Sequence, residues 1–219
     1  MKLQVTNYKN QKRPGAFTLI EMIGVLAVIA ILAAVLIPKV FEAIHNSRIN
    51  NSAMTCGTVK TALADHYAKF GGLNVDGSSG AAQTISTFPN DAYDQILLKE
   101  QFLDKLFAVK IGDGTNSTAN THVQLTTNAP FGGAVIGDAI SGYFLSGTGA
   151  TATNECNGSH IVQAIITGVA GADAQALSQR IDGNSMSAPD AATADLAGRV
   201  KYATPVAGLT TVYVYITHR

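Results

Sequence analysis

From Met22 to Ile37 the chain runs sixteen residues, MIGVLAVIAILAAVLI, without a charge. Carried back to Phe17, the apolar stretch is 21 residues long and is interrupted only by Thr18 and Glu21. At about 1.5 Å per residue, a helix of that length spans roughly 31 Å, the thickness of a bilayer's hydrocarbon core. A secretory signal peptide would have a shorter apolar region of about 7–15 residues and a small-residue cut after it. Here Pro38-Lys39 follows the run instead. A plain signal anchor fits the length but gives no reason for Glu21. A carboxylate inside an apolar span costs about 2.5–3.5 kcal/mol at mid-helix and less near an end, so such a residue has a partner or a function.

The charge distribution orients this segment. Lys2, Lys9, Lys12 and Arg13 lie in the first 16 residues, which contain no Asp or Glu. Setting those four aside leaves 11 basic against 15 acidic residues, a formal −4. A basic start before an apolar span is held on the cytoplasmic side of a membrane. The acidic remainder argues against direct nucleic-acid binding. Only 14% of the chain is charged, while Ala, Gly, Thr and Ser abound, a composition suited to an exported or surface protein rather than a charged cytosolic enzyme.

The organisation reads as three parts. Residues 1–16 form a polar, basic leader closed by Pro14-Gly15. Residues 17–70 form one long helix, with 17–37 the membrane or filament-core segment and an amphipathic second half carrying Ile44, Ile49, Val59, Leu63 and Phe70. Gly71-Gly72 ends it. Unbroken, it would be about 80 Å long, too long for one small domain to cover, so half of it must meet lipid or neighbouring subunits. Residues 71–219 form the head. A second helix is expected over Asn90–Phe107 and a short one over Asp173–Ile181. Strands are expected over 121–126, 133–137, 141–146, 159–168, 198–204 and 210–217. Val212-Tyr213-Val214-Tyr215-Ile216 alternates most clearly, and His160–Val169 is apolar enough for a central strand. The fold class is therefore α+β: a long N-terminal helix packed on a mostly antiparallel sheet.

The stretch GAFTLIEMIGVLAVIAILAAVLIPKV resembles the N-terminus of type IV pilins and the related pseudopilins. In that family a basic leader ends in a small residue, usually Gly. A membrane peptidase cuts there and methylates the new amino terminus. The first mature residue is usually Phe and the fifth is Glu, and a Pro often stands twenty-second. With Phe17 first, Glu21 is fifth and Pro38 twenty-second, so two spacings agree on one register. Ala16 departs from the pattern by standing between Gly15 and Phe17. Two cuts fit: after Ala16, which the Glu21 and Pro38 register favours, or after Gly15.

The resemblance implies a pilin-like fold and N-methylation of Phe17. It implies an assembly charge at Glu21, which pairs with the terminal amine of another subunit. Pro38 would kink the helix. The implied partners are identical or related pilin subunits, prepilin peptidase, an inner-membrane assembly platform, and membrane lipid before assembly. The implied location is the inner membrane as a single-pass precursor, then an extracellular pilus or a periplasmic pseudopilus. The expected function is a structural subunit of a type IV pilus or related filament. The alternatives are a pseudopilin of a type II secretion system, or an anchored binding domain that never polymerises.

Nothing in the sequence reads as catalytic. It lacks a nucleophile elbow, a P-loop and a dinucleotide fingerprint. His45, His66, His122, His160 and His218 include no closely spaced pair and are expected at surface or strand positions. No metal and no cofactor are expected; Asp182-Gly183-Asn184 reads as a turn ending a helix rather than a calcium loop. Asn50, Asn116 and Asn157 head sequons that take glycans in a suitable host. Cys56 and Cys156 fit no zinc pattern. In an exported body they form either one disulfide or two buried thiols, the bridge contributing roughly 4–5 kcal/mol on chain-entropy grounds.

Overall fold

The computed structural model describes residues 15, 17–77, 83–84, 93–113, 121–127, 143, 145 and 160–219. The chain divides into two compact units, residues 1–44 and residues 45–219. Helix α1, Leu19–Phe70, is 52 residues long and belongs in part to each. In the first unit its apolar side chains from Leu19 to Ile44 are exposed on every side. A helix that is apolar all round is one whose surroundings are lipid or other helices.

In the second unit the same helix buries one face. Ile49, Ser52, Cys56, Val59, Leu63 and His66 are buried, and their spacing of three and four residues places them along one stripe. The aliphatic members share a core with Val123, Leu125, Val162, Ile166, Val212 and Val214. The helix ends as its sequence predicts. Gly71 takes a φ of 74° and its N–H donates to the Tyr67 carbonyl at 2.8 Å, the left-handed cap that glycine adopts without strain.

The head elements are β1 (Val75–Asp76), β2 (Gln83–Thr84), α2 (Tyr93–Lys99), β3 (His122–Thr127), β4 (His160–Ala170), α3 (Gly171–Ile181), β5 (Val200–Tyr202) and β6 (Leu209–His218). The last four strands named form an antiparallel sheet in the order β3-β4-β6-β5, and β1 pairs with β2. β4 is central and buries six residues in succession from Ile161 to Ile166. β6 alternates, with Thr210, Val212, Val214 and Ile216 buried and the tyrosines between them half-buried. The architecture is α+β and pilin-like. The strands expected at 133–137 and 141–146 lie outside the described residues apart from Tyr143 and Leu145.

One expectation fails in the middle of the head. The helical spacing through Phe107 predicts a helix of 18 residues, yet α2 stops at Lys99. Gln101 has a φ of 64°. The N–H of Phe102 reaches the Leu97 carbonyl at 2.9 Å and that of Gln101 reaches Leu98 at 3.0 Å, the two bonds of a Schellman termination. Beyond it Asp94, fully buried, accepts from the backbone N–H of Phe107 at 3.0 Å and of Val123 at 3.3 Å. Leu103 and Phe107 are therefore buried by a folded-back chain rather than by a helix face.

Candidate functional site

The first unit is built around the start of α1. Phe17 precedes the helix and is 79% exposed, and Gly15 is exposed as well. Ala16 and the leader residues 1–14 lie outside the described residues. Thr18 is the N-cap. Its backbone N–H and its hydroxyl both donate to Glu21 Oε2 at 2.8 Å, and the Glu21 N–H donates back to the Thr18 hydroxyl at 3.3 Å. This is a reciprocal capping box. The sequence Thr18-Leu19-Ile20-Glu21 spells it, although the resemblance draws attention to Glu21 alone.

The capping box changes what Glu21 does locally. The first turn of any helix leaves backbone donors without intrahelical partners. Glu21 satisfies one of them and stands at the end of the helix macrodipole that favours negative charge. Its carboxylate is thereby held in one orientation, with Oε1 left over. The next ionisable residue is Lys39, which pairs with Glu42 at 3.3 Å on an exposed surface.

Pro38 sits inside α1, which continues to Phe70. Proline has no N–H, so the Ala34 carbonyl lacks its ordinary helical donor. The span is long and apolar enough to cross a membrane, and none of it is buried within the protein.

The remaining candidate residues are dispersed. Cys56 is buried on the core face of α1, and burial pushes its thiol up to about 12. Cys156 lies outside the described residues, as do Asn116 and Asn157. Asp182 ties α3 to β5: its carboxylate accepts from Arg199 Nε at 3.0 Å and from the backbone N–H of Arg199 and Val200, each at 2.8 Å. Arg199 also donates to the Ile181 carbonyl. Gly198, at φ 75°, passes so close that a Cβ there would meet Asp182 Oδ2 at 2.6 Å. Among the described residues no three His, Cys, Asp or Glu side chains are grouped to hold a metal.

The histidines differ from expectation in one case. His45 lies 3.5 Å from Asp173, and His122, His160 and His218 are in strands. His66 is neither at the surface nor in a strand. It is buried in the last turns of α1, 2.6 Å from Glu100. Its position four residues before Phe70 and three after Leu63 would have placed it on the core face.

Residues 11–37 match the family described as the prokaryotic N-terminal methylation motif. No curated protein and no solved structure matches the chain. The motif implies processing by prepilin peptidase and pilin assembly, and together with the exposed apolar helix it fits a membrane-anchored precursor. The chain thus carries, across its leader junction and apolar span, the prepilin signal of type IV pilins and pseudopilins.

Proposed function

We propose that the protein is a structural subunit of a type IV pilus or a related filament and has no catalysis of its own. The carrying observation is the coincidence, within one matched motif, of an uncharged helix exposed on all sides and a single carboxylate fixed at its first turn. The leader is removed after Ala16 or Gly15, and the new terminus, Phe17 in the favoured register, is methylated. The helix rests in lipid until assembly and then packs among the helices of identical or related subunits. A charge in that apolar core is tolerated only with a partner. The terminal ammonium of a neighbouring chain supplies it, while Thr18 holds the carboxylate in position. Ala27, Ala30, Ala33 and Ala34 allow close approach of helices. Pro38 gives the helix one place where bending costs less.

This reading puts the head on the outside of an extracellular pilus, with an inner-membrane platform feeding subunits into the base. Mass spectrometry of the amino terminus of the exported protein tests the processing step. A methylated Phe17 terminus is expected; a chain still beginning at Met1 overturns the reading. Glu21→Ala tests assembly. Membrane insertion should persist while incorporation into filaments falls sharply, and unchanged incorporation would remove the assigned role of the charge.

A further inference from the structure

Among the described residues of the second unit, the exposed large apolar side chains are Met54, Tyr67, Val206 and Leu209. Val206 and Leu209 belong to one turn, the tip of the β5–β6 hairpin, where they are 80% and 52% exposed. No Asp, Glu, Lys or Arg occurs from Tyr202 to Thr217. The turn is closed on itself. The Val206 N–H donates to the Leu209 carbonyl at 2.9 Å, and the Leu209 N–H donates to the Val206 carbonyl at 3.1 Å. Between them Ala207 and Gly208 take φ of 52° and 80°, the mirror-image turn that Asn-Gly or Asp-Gly ordinarily fills. Ala207 has a Cβ and no polar side chain, so it holds the left-handed conformation against a steric cost with no local hydrogen bond of its own to offset it. The turn is apolar at the position where water would favour Asn.

The tip lies at the end of the head where α1 enters. α3 begins beside His45, the first residue of the second unit, with Asp173 Oδ1 3.5 Å from His45 Nδ1. It ends farther along α1, where Arg180 and Ile181 share a cavity with Cys56 and Lys60. β6 runs the same way. Its end, at Thr217 and Arg219, shares a cavity with Leu63 and Tyr67, so its first residue, Leu209, lies toward His45. The tip packs on the first turn of α3. The Gly171 N–H donates to the Gly208 carbonyl at 3.1 Å, and a Cβ on Gly171 would meet Pro205 Cγ at 3.0 Å. Along α1, eight residues, about 12 Å of helix, lead from Ile37 at the end of the uncharged run to His45.

We propose that, in the membrane-anchored precursor on which this rests, the Val206–Leu209 tip is a second membrane contact, seated in the lipid interface beside the point where α1 enters the bilayer. The short tether from Ile37 to His45 keeps this end of the head within reach of the bilayer surface while the subunit stays in the membrane. Val206, Ala207 and Leu209 gain by leaving water. The N–H and carbonyl groups of Val206 and Leu209 are already paired across the turn, so lipid leaves none of them without a partner. Charge does not draw the tip to the surface. Asp173 stands in the adjoining turn of α3, and Asp190 precedes Ala191, whose carbonyl lies against Gly171. The contact is therefore apolar, forms on zwitterionic lipid and does not weaken with salt. With two large side chains it is also weak enough for a subunit to give up when it is drawn into a filament.

The test is NMR of the full chain, methyl-labelled at Val, Leu and Met, in phosphatidylcholine nanodiscs containing a lipid with a nitroxide near the top of its acyl chain. An interfacial apolar face sinks about 5–10 Å, to the boundary of headgroups and acyl chains, so the Val206 and Leu209 methyls should broaden about tenfold more than that of Met54. Met54 is as exposed as the tip but lies nine residues along α1 from His45. Leu26, inside the span, should broaden as well. Val206→Asp should release Leu209 from the broadening while Leu26 keeps it and the Gly171 amide signal stays in place, showing the head still folded. Leu209→Asn, read at Val206, gives the same result should the first variant fail to fold. Sharp Val206 and Leu209 signals beside a broadened Leu26 overturn the proposal and leave the anchor standing; tip signals that then shift with the number of copies per nanodisc assign the turn to a second copy instead. Broadening that persists at the remaining tip residue in either folded variant also overturns it. A sharp Leu26 signal overturns the membrane anchor itself, and the tip contact with it.

Discussion

From Leu19 to Ile44, α1 turns apolar side chains to every side and buries none of them. From Ile49 to His66 it buries a residue every third or fourth position and leaves Thr58, Lys60 and Thr61 outside. One continuous backbone thus serves two environments. Apart from the Ala34 carbonyl opposite Pro38, the first half satisfies its backbone by helical and capping bonds and depends on lipid or other helices for its side chains. The second half depends on a core supplied by its own chain. The difference teaches that helix formation by itself decides neither solubility nor partner. The arrangement of apolar residues around the helix decides both.

The sharpest way to break this comparison is at the capping box. Glu21→Ala removes the charge together with the carboxylate half of the capping box, leaving the Thr18 hydroxyl its bond from the backbone N–H of residue 21. Glu21→Gln retains a side chain able to close a capping box but removes the charge. If the charge governs assembly, both variants should reduce filament incorporation at least tenfold in sheared-pilus immunoblots, with membrane levels unchanged. Normal incorporation of Glu21→Gln would instead assign the residue to capping alone.

A core truncation sharpens the contrast between the two halves. Leu63→Ala should destabilise the head by about 2–5 kcal/mol in denaturant titrations in detergent. Leu26→Ala removes a similar side chain from the exposed half and should leave head stability unchanged. Equal losses at both positions would mean that the halves are not energetically distinct.

Thr18→Ala should cost about 1 kcal/mol at the start of α1, the ordinary value of a lost cap. Amide exchange in the first turn should rise while head stability stays constant. The smallest effect concerns pH. Burial raises Asp195 above the ordinary aspartate range, although Ser178 and the N–H groups of Ala197 and Ala188 pull it back. A raised folded value means that the folded state holds the proton more tightly. Its contribution is therefore full below the unfolded aspartate value and is lost as pH rises through the folded value. Asp195→Asn should flatten that acid-range slope in denaturation midpoints; an unchanged slope would assign it to other groups.

Much of the first unit is legible because its signals are local. The cap, the carboxylate and the apolar run all lie within a few residues of one another, and the turn at Gly71 needs only a glycine. β6 is legible for the same reason, since a half-buried strand writes its alternation directly into Val212–Ile216. The end of α2 is not legible. Phe102, Leu103 and Phe107 continue a helical spacing, and only Asp94, bonded to the distant Val123 amide, shows that the chain turns back instead. The pairing of His66 with Glu100 crosses 34 positions and leaves no local trace.

The sequence by itself determined the extent of the apolar span, the spacing of Phe17, Glu21 and Pro38 within the matched motif, and the class of fold. Hydropathy and short-range hydrogen bonding act over a turn or two, so neighbours in sequence suffice to express them. The tertiary structure alone decided which polar groups are buried and what each one meets. Asp94, Asp182, His66 and Glu100 are ordinary residues until packing removes their water, and their partners then come from whatever backbone and side chains the fold brings within about 3 Å.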